Sequence, residues 1–294
     1  MEKTKGIPVL RIGDFKEETL RPYFYANNMQ DHLVKNASLL HTPHKHDFYL
    51  CVIFTKGSGI HEIDFTTYPI SSGSVFFLKP GQTHSWSFTE AVEGYIVFHT
   101  QEFYELYFAD KKLASYSFYY LHNNTSSKQL TQNQLKEILP YFEEVYAEFK
   151  GDNWFKKDKI LSLLNIIYTE FSRWFIHDKH FKLERSHSYL TILENLEGLI
   201  EIYYMEEKQP SYYADRLHVS TKHLNRVVQD TLGITTSTLI SNRVILEAKR
   251  LMVNSTNTLS DISLLLGYED YAYFSRVFKR NTGISPLQFK QKYQ

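Results

Sequence analysis

Residues Tyr212–Ile234 read YYADRLHVSTKHLNRVVQDTLGI, and residues Asp261–Ile284 read DISLLLGYEDYAYFSRVFKRNTGI. The second stretch restates the first. With Leu224 set on Phe274, each copy carries an Arg two residues on (Arg226, Arg276) and a Gly-Ile pair seven residues after that Arg (Gly233-Ile234, Gly283-Ile284). Each copy reads as a short apolar helix, a tight turn and a second helix with a basic outer face, the pattern of a helix-turn-helix. In such a unit the second helix is the one that fits the DNA major groove. Two copies predict one polypeptide with two reading helices.

The face of each second helix follows from its spacing. In the first copy Ser220 is a good N-cap for a helix over 221–231, with Leu224, Val227 and Val228 inward. Thr221, Lys222, Asn225 and Arg226 then share an exposed face. Asn suits the adenine edge and Arg the guanine edge, each through two hydrogen bonds. In the second copy Gly267 makes the turn, since a positive φ costs glycine least. Tyr271, Ala272, Ser275 and Arg276 take the corresponding face, and Phe274 and Phe278 pack inward. Lys279 and Arg280 fall where phosphate contacts lie, which add affinity without sequence information. A helix over 236–253 joins the copies and is expected to present Arg243, Lys249 and Arg250.

At 294 residues the chain is long enough for two domains. The formal net charge of zero is unevenly spread: residues 211–294 hold 11 Lys+Arg against 6 Asp+Glu, and residues 1–210 hold 22 against 27. A basic C-terminal segment on a mildly acidic body fits a part that meets nucleic acid. A single cysteine, Cys51, forbids an internal disulfide and suits a reducing cytoplasm. The N-terminus lacks the apolar run of a secretory signal, and no stretch approaches the length needed to span a bilayer. Cytoplasmic residence without membrane contact is expected.

Upstream, residues 40 to 100 read as short strands (48–55, 60–65, 74–78, 95–99) punctuated by Lys56-Gly57-Ser58-Gly59, Ser71-Ser72-Gly73 and Lys79-Pro80-Gly81. Such spacing predicts a small barrel or sandwich. The Lys56–Gly59 turn lacks the spacing of a phosphate loop. Residues 123–129 read as a polar loop. Helical periodicity begins with Leu135, Ile138, Leu139, Phe142 and Val145, and resumes over 157–175 with Ile160, Leu161, Leu164, Ile167, Tyr168 and Phe171. Residues 181–188 read as a linker and 189–206 as the first helix of the next domain. The expected organisation is an α+β multidomain chain: a sensor domain over 1–180 (barrel about 40–100, helices about 101–180), then an all-α domain over 189–294 with its two helix-turn-helix units.

The second copy, ISLLLGYEDYAYFSRVFKRNTGISP from Ile262 to Pro286, resembles the signature of AraC/XylS-type transcription regulators. Ile262, Gly267, Tyr268, Phe274, Arg276, Phe278, Lys279, Gly283, Ser285 and Pro286 stand in register with it. Ser263 replaces the usual Ala and Tyr268 the usual Phe, while Arg243–Met252 (RVILEAKRLM) is similar to the family's linker helix. The first copy departs further, with His218 where a turn Gly is common, Val228 for Phe, and Thr236 where the second copy has Pro286. The segment with Pro43-His44-Lys45-His46-Asp47 and Pro80-Gly81-Gln82-Thr83-His84 resembles the cupin-like sensing barrel often fused to such domains.

The resemblance implies a sequence-specific regulator, an activator rather than an enzyme, that answers to a sugar or other small polar organic ligand. Its partners would be double-stranded DNA, that effector and RNA polymerase. A homodimer through a helix in 157–176 is also implied. Candidate ligand contacts are His44, His46, Phe48, His61, His84 and Trp86, with Glu62, Tyr95 and His99 as further pocket residues. Enzymatic cupins bind a transition metal through a His-x-His pair, a Glu and a later His. Here Leu50 stands at the Glu position, so no metal or cofactor is expected. The alternatives are a metal-dependent cupin enzyme tethered to DNA and a ligand-independent DNA binder.

Overall fold

The computed structural model describes residues 7–15, 22–37, 42–108, 113, 116–119, 126–177 and 186–293. They fall into two compact units, one within residues 7–180 and the other within 181–294. Residues 181–185 of the expected linker lie outside the described residues, and Ser186 already opens a helix that runs to Tyr203.

The N-terminal unit is organised around one strand. Its strands are β1 (Val9–Leu10), β2 (Phe24–Asn28), β3 (Lys45–His46), β4 (Tyr49–Lys56), β5 (Gly59–Ile63), β6 (Thr66–Ile70), β7 (Ser74–Leu78), β8 (His84–Phe88), β9 (Glu93–His99) and β10 (Ser127–Gln129). β4 sits in the middle of an antiparallel five-stranded sheet ordered β10-β7-β4-β9-β2. All six residues of 49–54 are buried, because successive side chains point to opposite faces and both faces are covered. Tyr49, Cys51 and Ile53 join a core with Phe24, Phe77 and Val97 and with Ile138, Phe142, Leu164 and Phe171 of two long helices. Leu50, Val52 and Phe54, with Phe48 ahead of them, join a second core with Ile63 and Ile70 of a three-stranded sheet ordered β6-β5-β8.

The expected barrel is therefore not closed: among the described residues no ladder joins the five-stranded sheet to the three-stranded one. The cause lies at the end of β4. Its register with β9 shifts between Phe54 and Lys56, and such a bulge bends a strand away from its partner. The chain then turns at Gly57, with φ +91°, into β5. On the facing strand, Gly94 adopts φ +147° and lies so close to β4 that a Cβ there would come 1.9 Å from the Ile53 carbonyl oxygen. The sheet also reaches beyond the expected 40–100: β2 forms one edge, and Ser127–Gln129, expected as loop, pairs with β7 at the other.

The helices Gln132–Lys150 and Lys156–His177 cover the outer face of the five-stranded sheet. The apolar stripe of the second, expected to serve a partner as well, is consumed inside its own unit: Ile160, Leu161, Leu164, Ile167, Tyr168 and Phe171 are all buried. Its outward line, Asp158, Ser162 and Arg173, is polar, with Ile166 the exposed apolar residue among them. One polar chain ties this helix to the sheet. His99 Nδ1 donates to the Thr100 carbonyl (3.0 Å), so Nε2 holds the lone pair and accepts the Tyr168 hydroxyl (2.5 Å). Tyr168 in turn meets the Tyr119 hydroxyl at 2.9 Å.

The C-terminal unit is helical: Ser186–Tyr203, Pro210–Arg216, Thr221–Leu232, Thr236–Asn254, Leu259–Leu265, Tyr271–Thr282 and Pro286–Tyr293. The helix Thr236–Asn254 is its spine, burying Leu239, Ile240, Val244, Ala248 and Met252. Arg243 and Arg250, expected on the surface, are buried on this helix. Arg243 bonds Glu201 (2.9 Å) and Glu247 (3.0 Å) and lies 3.9 Å from the Tyr204 ring. Sequence periodicity marked these arginines as polar and missed their partners, which lie up to 42 residues away.

The two copies fold alike, turn included. Leu217 is followed by His218 at φ +54°, and Leu266 by Gly267 at φ +73°. In each, the next amide reaches back to close the helix end: Val219 N to Ala214 O (3.0 Å) and Tyr268 N to Ser263 O (2.9 Å). The second turn is one residue longer. Ser220 and Asp270 cap the helices that follow, and Gly233 and Gly283 end them in left-handed conformations.

Two outcomes follow from these contacts. A Cβ on Gly267 would meet the Met205 carbonyl oxygen at 2.1 Å, so Gly267→Ala should destabilise the C-terminal unit by more than about 2 kcal/mol. His218 already tolerates its left-handed backbone, so His218→Gly should stay within about 1 kcal/mol of wild type, as read by chemical denaturation. The second concerns pH. Burial lowers the His99 pKa to about 4, partly offset by the Thr100 carbonyl. The unfolded imidazole titrates near ~6.5, so this contribution is complete above that pH and is lost as pH falls below it. Between pH ~7.5 and ~5 the stability gap between wild type and His99→Gln should narrow by about 2 kcal/mol. A constant gap would contradict the neutral, buried assignment.

Candidate functional site

The N-terminal unit gathers histidines from four segments. His44 and His84 exchange backbone hydrogen bonds (3.1 and 2.9 Å), which lays the segment entering β3 beside β8. The β5–β8 register pairs His61 with Trp86. Ring centroids are then 4.4 Å apart for His44 and His84, 4.7 Å for His46 and His84, 5.1 Å for His61 and His84, and 4.9 Å for His84 and Trp86. Phe48 stacks on His46 at 4.5 Å. All six candidate ligand contacts are thus brought together. Of the further pocket residues, Tyr95 and His99 belong to the other core. Glu62 alternates to the opposite side of β5 from His61.

Sequence reasoning missed His32. It lies on the helix Met29–Lys35, outside any strand motif, yet it packs against Phe15 and Trp86 (centroids 5.6 and 6.4 Å). The Tyr25 hydroxyl accepts the Asn27 amide (3.1 Å), and so donates its own hydrogen to His32 Nδ1 (2.9 Å). His32 Nε2 therefore carries a proton, and this atom has no hydrogen-bond partner. Neither do His61 Nδ1, Thr83 Oγ1 and Trp86 Nε1, all buried.

Burial keeps the cluster neutral. It lowers the pKa of His32 to about 3, with His44 as a further cause, and that of His46 to about 3, with repulsion from His44 and His32 and a partial offset from the Phe48 backbone. His61 and His84 are pushed down by burial and then by neighbouring imidazoles. His44 is lowered too, with the Thr42 carbonyl opposing. Neutral imidazoles offer lone pairs as well as N–H groups, so the cluster can accept, donate or ligate.

In the C-terminal unit the helices Thr221–Leu232 and Tyr271–Thr282 present one pattern. Residues 221–230 and 271–280 share the same burial at nine of ten positions. Leu224, Val227 and Val228 are buried, as are Phe274, Val277 and Phe278. Lys222, Arg226, Ala272, Arg276, Lys279 and Arg280 are exposed; Thr221, Asn225, Tyr271 and Ser275 are half-buried. Asn225 also has a folding role, its side-chain oxygen accepting the Thr236 amide (3.1 Å). Two residues not singled out in the sequence accompany the arginines: His223 Nδ1 lies 2.8 Å from the Arg226 guanidinium, and Arg276 lies 5.9 Å from the Tyr273 ring. Both sit three residues before their Arg, a spacing that was visible as helical adjacency.

Comparison with known proteins agrees with this division. Residues 35–148 match the AraC-like ligand binding domain, and residues 213–292 match a helix-turn-helix domain. The HTH-type transcriptional activator RhaR of Mannheimia succiniciproducens is 23% identical over 254 residues, covering 85% of this chain and 87% of that protein. The HTH-type transcriptional activator RhaS of Escherichia fergusonii is 23% identical over 250 residues, covering 84% and 87%. Among solved structures, ToxT from Vibrio cholerae aligns with 92% of this chain and 99% of its own at 15% identity and a TM-score of 0.38. No helix of the described residues is long and apolar enough to cross a membrane. The chain belongs to the AraC/XylS-type transcription regulators, with an AraC-like ligand-binding domain ahead of a helix-turn-helix domain that binds DNA.

Proposed function

We propose that the chain is an effector-gated activator whose helices Thr221–Leu232 and Tyr271–Thr282 read two major-groove segments about one helical turn apart. The observation that carries this reading is the repeated exposure pattern on two helices with matching caps and matching left-handed turns. Arg226 and Arg276 take base edges, flanked by Thr221, Lys222 and Asn225 in one copy and by Tyr271, Ala272 and Ser275 in the other. Lys279 and Arg280 take phosphates. Residues 189–294 form the DNA-binding domain and residues 1–180 the sensor.

The effector is a sugar or other small polar organic molecule that meets the His44, His46, Phe48, His61, His84 and Trp86 cluster. Its binding shifts the population in which both helices reach the groove. Activation is carried over from the relatives, which are named as transcriptional activators, and it makes RNA polymerase the further partner in the cytoplasm. A homodimer contact through residues 157–176 uses the outer face of that helix, around Ile166, since the apolar stripe is already buried.

Selection of bound fragments from genomic DNA, followed by footprinting, tests the reading: two protected major-groove segments about a turn apart are expected. Arg276→Ala should cost roughly 1–3 kcal/mol on a selected site and relax one base pair. Lys279→Ala should weaken specific and random DNA alike and reduce the salt slope by about one. An equal loss for Arg276→Ala on random DNA would reassign that residue to phosphate.

A further inference from the structure

His44, His46 and His84 each bring a ring nitrogen to one point, the three atoms lying within 4.8 Å of one another in a fully buried setting. The outward nitrogens of His44 and His84 are already engaged. His44 Nδ1 donates to the Thr42 carbonyl at 3.0 Å, which leaves its Nε2 lone pair free. His46 turns Nε2 to His84, and a proton at its Nδ1, an atom with no hydrogen-bond partner, leaves the lone pair on Nε2. His84 presents Nε2 to His46 Nε2 at 2.7 Å and Nδ1 to His61 Nε2 at 2.8 Å. We propose that His44, His46 and His84 bind one divalent transition-metal ion through their Nε2 atoms, with His61 holding His84 from behind.

The proton count is consistent with this. Three linked neutral rings, His46, His84 and His61, hold three protons on six nitrogens, and two of the protons lie in the two hydrogen bonds. With Nδ1 of His46 protonated, the chain leaves a bare lone pair on His61 Nδ1, an atom with no partner. When a cation takes the Nε2 lone pairs, the His84 proton moves to Nδ1 and is donated to His61 Nε2. The His61 proton then moves to its own Nδ1. Every ring stays neutral, and two of the three ligands keep their Nδ1–H on an acceptor, His44 on the Thr42 carbonyl and His84 on the His61 ring. Metal-bound histidines are held in this way.

Size and donor type agree. Rings with centroids 4.4–5.7 Å apart touch one another, so the space among these three nitrogens is on the scale of an ion. Tetrahedral zinc with Zn–N of about 2.0–2.1 Å sets nitrogens roughly 3.3 Å apart. The 2.7 Å His46–His84 pair must open by about half an ångström, and a pair at the 4.8 Å limit must close by about 1.5 Å, movements that side-chain rotation supplies. Three neutral imidazoles suit Zn2+, Ni2+, Cu2+ or Fe2+. With Leu50 apolar beside β9, the set contributes no carboxylate, so a fourth position is left to water or to an added ligand. The proposal stands whether or not an organic effector binds this unit.

The test uses the full-length protein, stripped with a chelator and titrated with Co2+ and Zn2+. One equivalent is expected, with visible Co2+ bands of a nitrogen-ligated site that zinc abolishes. His44→Ala and His84→Asn should lose the bands, and His61→Gln should weaken binding about 10- to 100-fold, while His223→Ala, on the other unit, should leave the Co2+ bands as they are. Should the core variants fail to fold, X-ray absorption at the zinc edge of the wild-type protein decides: three imidazole nitrogens at about 2.0 Å are expected. No stoichiometric binding, or binding without three imidazoles, would overturn the proposal. Binding that survives both His44→Ala and His84→Asn in folded protein would overturn it too.

Discussion

Everything in the N-terminal unit depends on β4 having two buried faces. Six consecutive buried residues leave this strand no solvent side, so the fold must supply two covers. The long helices cover one face and the three-stranded sheet the other. Period-2 alternation then sorts function as well as packing. His46 and Phe48 precede β4 in step with Leu50 and Val52, and so fall on the face toward β5 and β8, where the histidines collect. His99 ends β9 in step with Val97 and Tyr95, on the opposite face, where it bonds a helix instead. One residue of register separates a histidine of the cluster from one that ties the sheet to a helix.

The C-terminal unit solves a different problem. A short two-helix unit buries too little surface to stand alone, and here both copies rest on one spine, Thr236–Asn254. Burial of Arg243 on that spine is tolerated because Glu201, Glu247 and the Tyr204 face surround it. Removing one partner would strand a charge in a dry site, which costs far more than the pair contributes. The same network keeps Arg243 from the surface, and Lys222, Arg226, Arg276, Lys279 and Arg280 are left as exposed cations on the helices Thr221–Leu232 and Tyr271–Thr282. The positive balance of residues 211–294 thus overstates the charge available for phosphate.

Much of this was legible in the residues. The duplication, the Ser220 cap, Gly233, Gly283 and Gly267 specify two capped helix pairs through local chemistry alone, and local chemistry is what a sequence records. The cluster of His44, His46, His61, His84 and Trp86 was legible through period-2 alternation and the Pro-Gly turn before His84. What was not legible depends on distant partners. Strand closure failed at a bulge that no residue type announces. Arg243 looked solvated because its carboxylates come from other turns and another helix. His32 joins the cluster from a helix that the strand pattern never reached. The apolar stripe of Lys156–His177 showed how wide the buried face would be, without showing what would cover it.

The histidine cluster is an expense the fold has no structural reason to accept. An unpartnered buried N–H or lone pair costs about 1–3 kcal/mol, and His32 Nε2, His46 Nδ1, His61 Nδ1 and Trp86 Nε1 all lie unpartnered in one region. Apolar residues of similar volume would pack beside Phe15, Phe48, Phe76 and Phe98 without that loss. The aromatic shell offsets it: Phe48 stands 4.5 Å from Phe98, and Phe15 4.9 Å from the same ring. A core that leaves His32 Nε2, His46 Nδ1, His61 Nδ1 and Trp86 Nε1 unsatisfied among packed aromatic rings is stable but unfinished. A species that satisfies those atoms binds with the free energy that folding left unrealised. The same binding stiffens β3, β5, β8 and the helix Met29–Lys35 at once, since each contributes a ring. That joint stiffening is a physical route by which occupancy of a site no larger than its histidines can alter a whole unit.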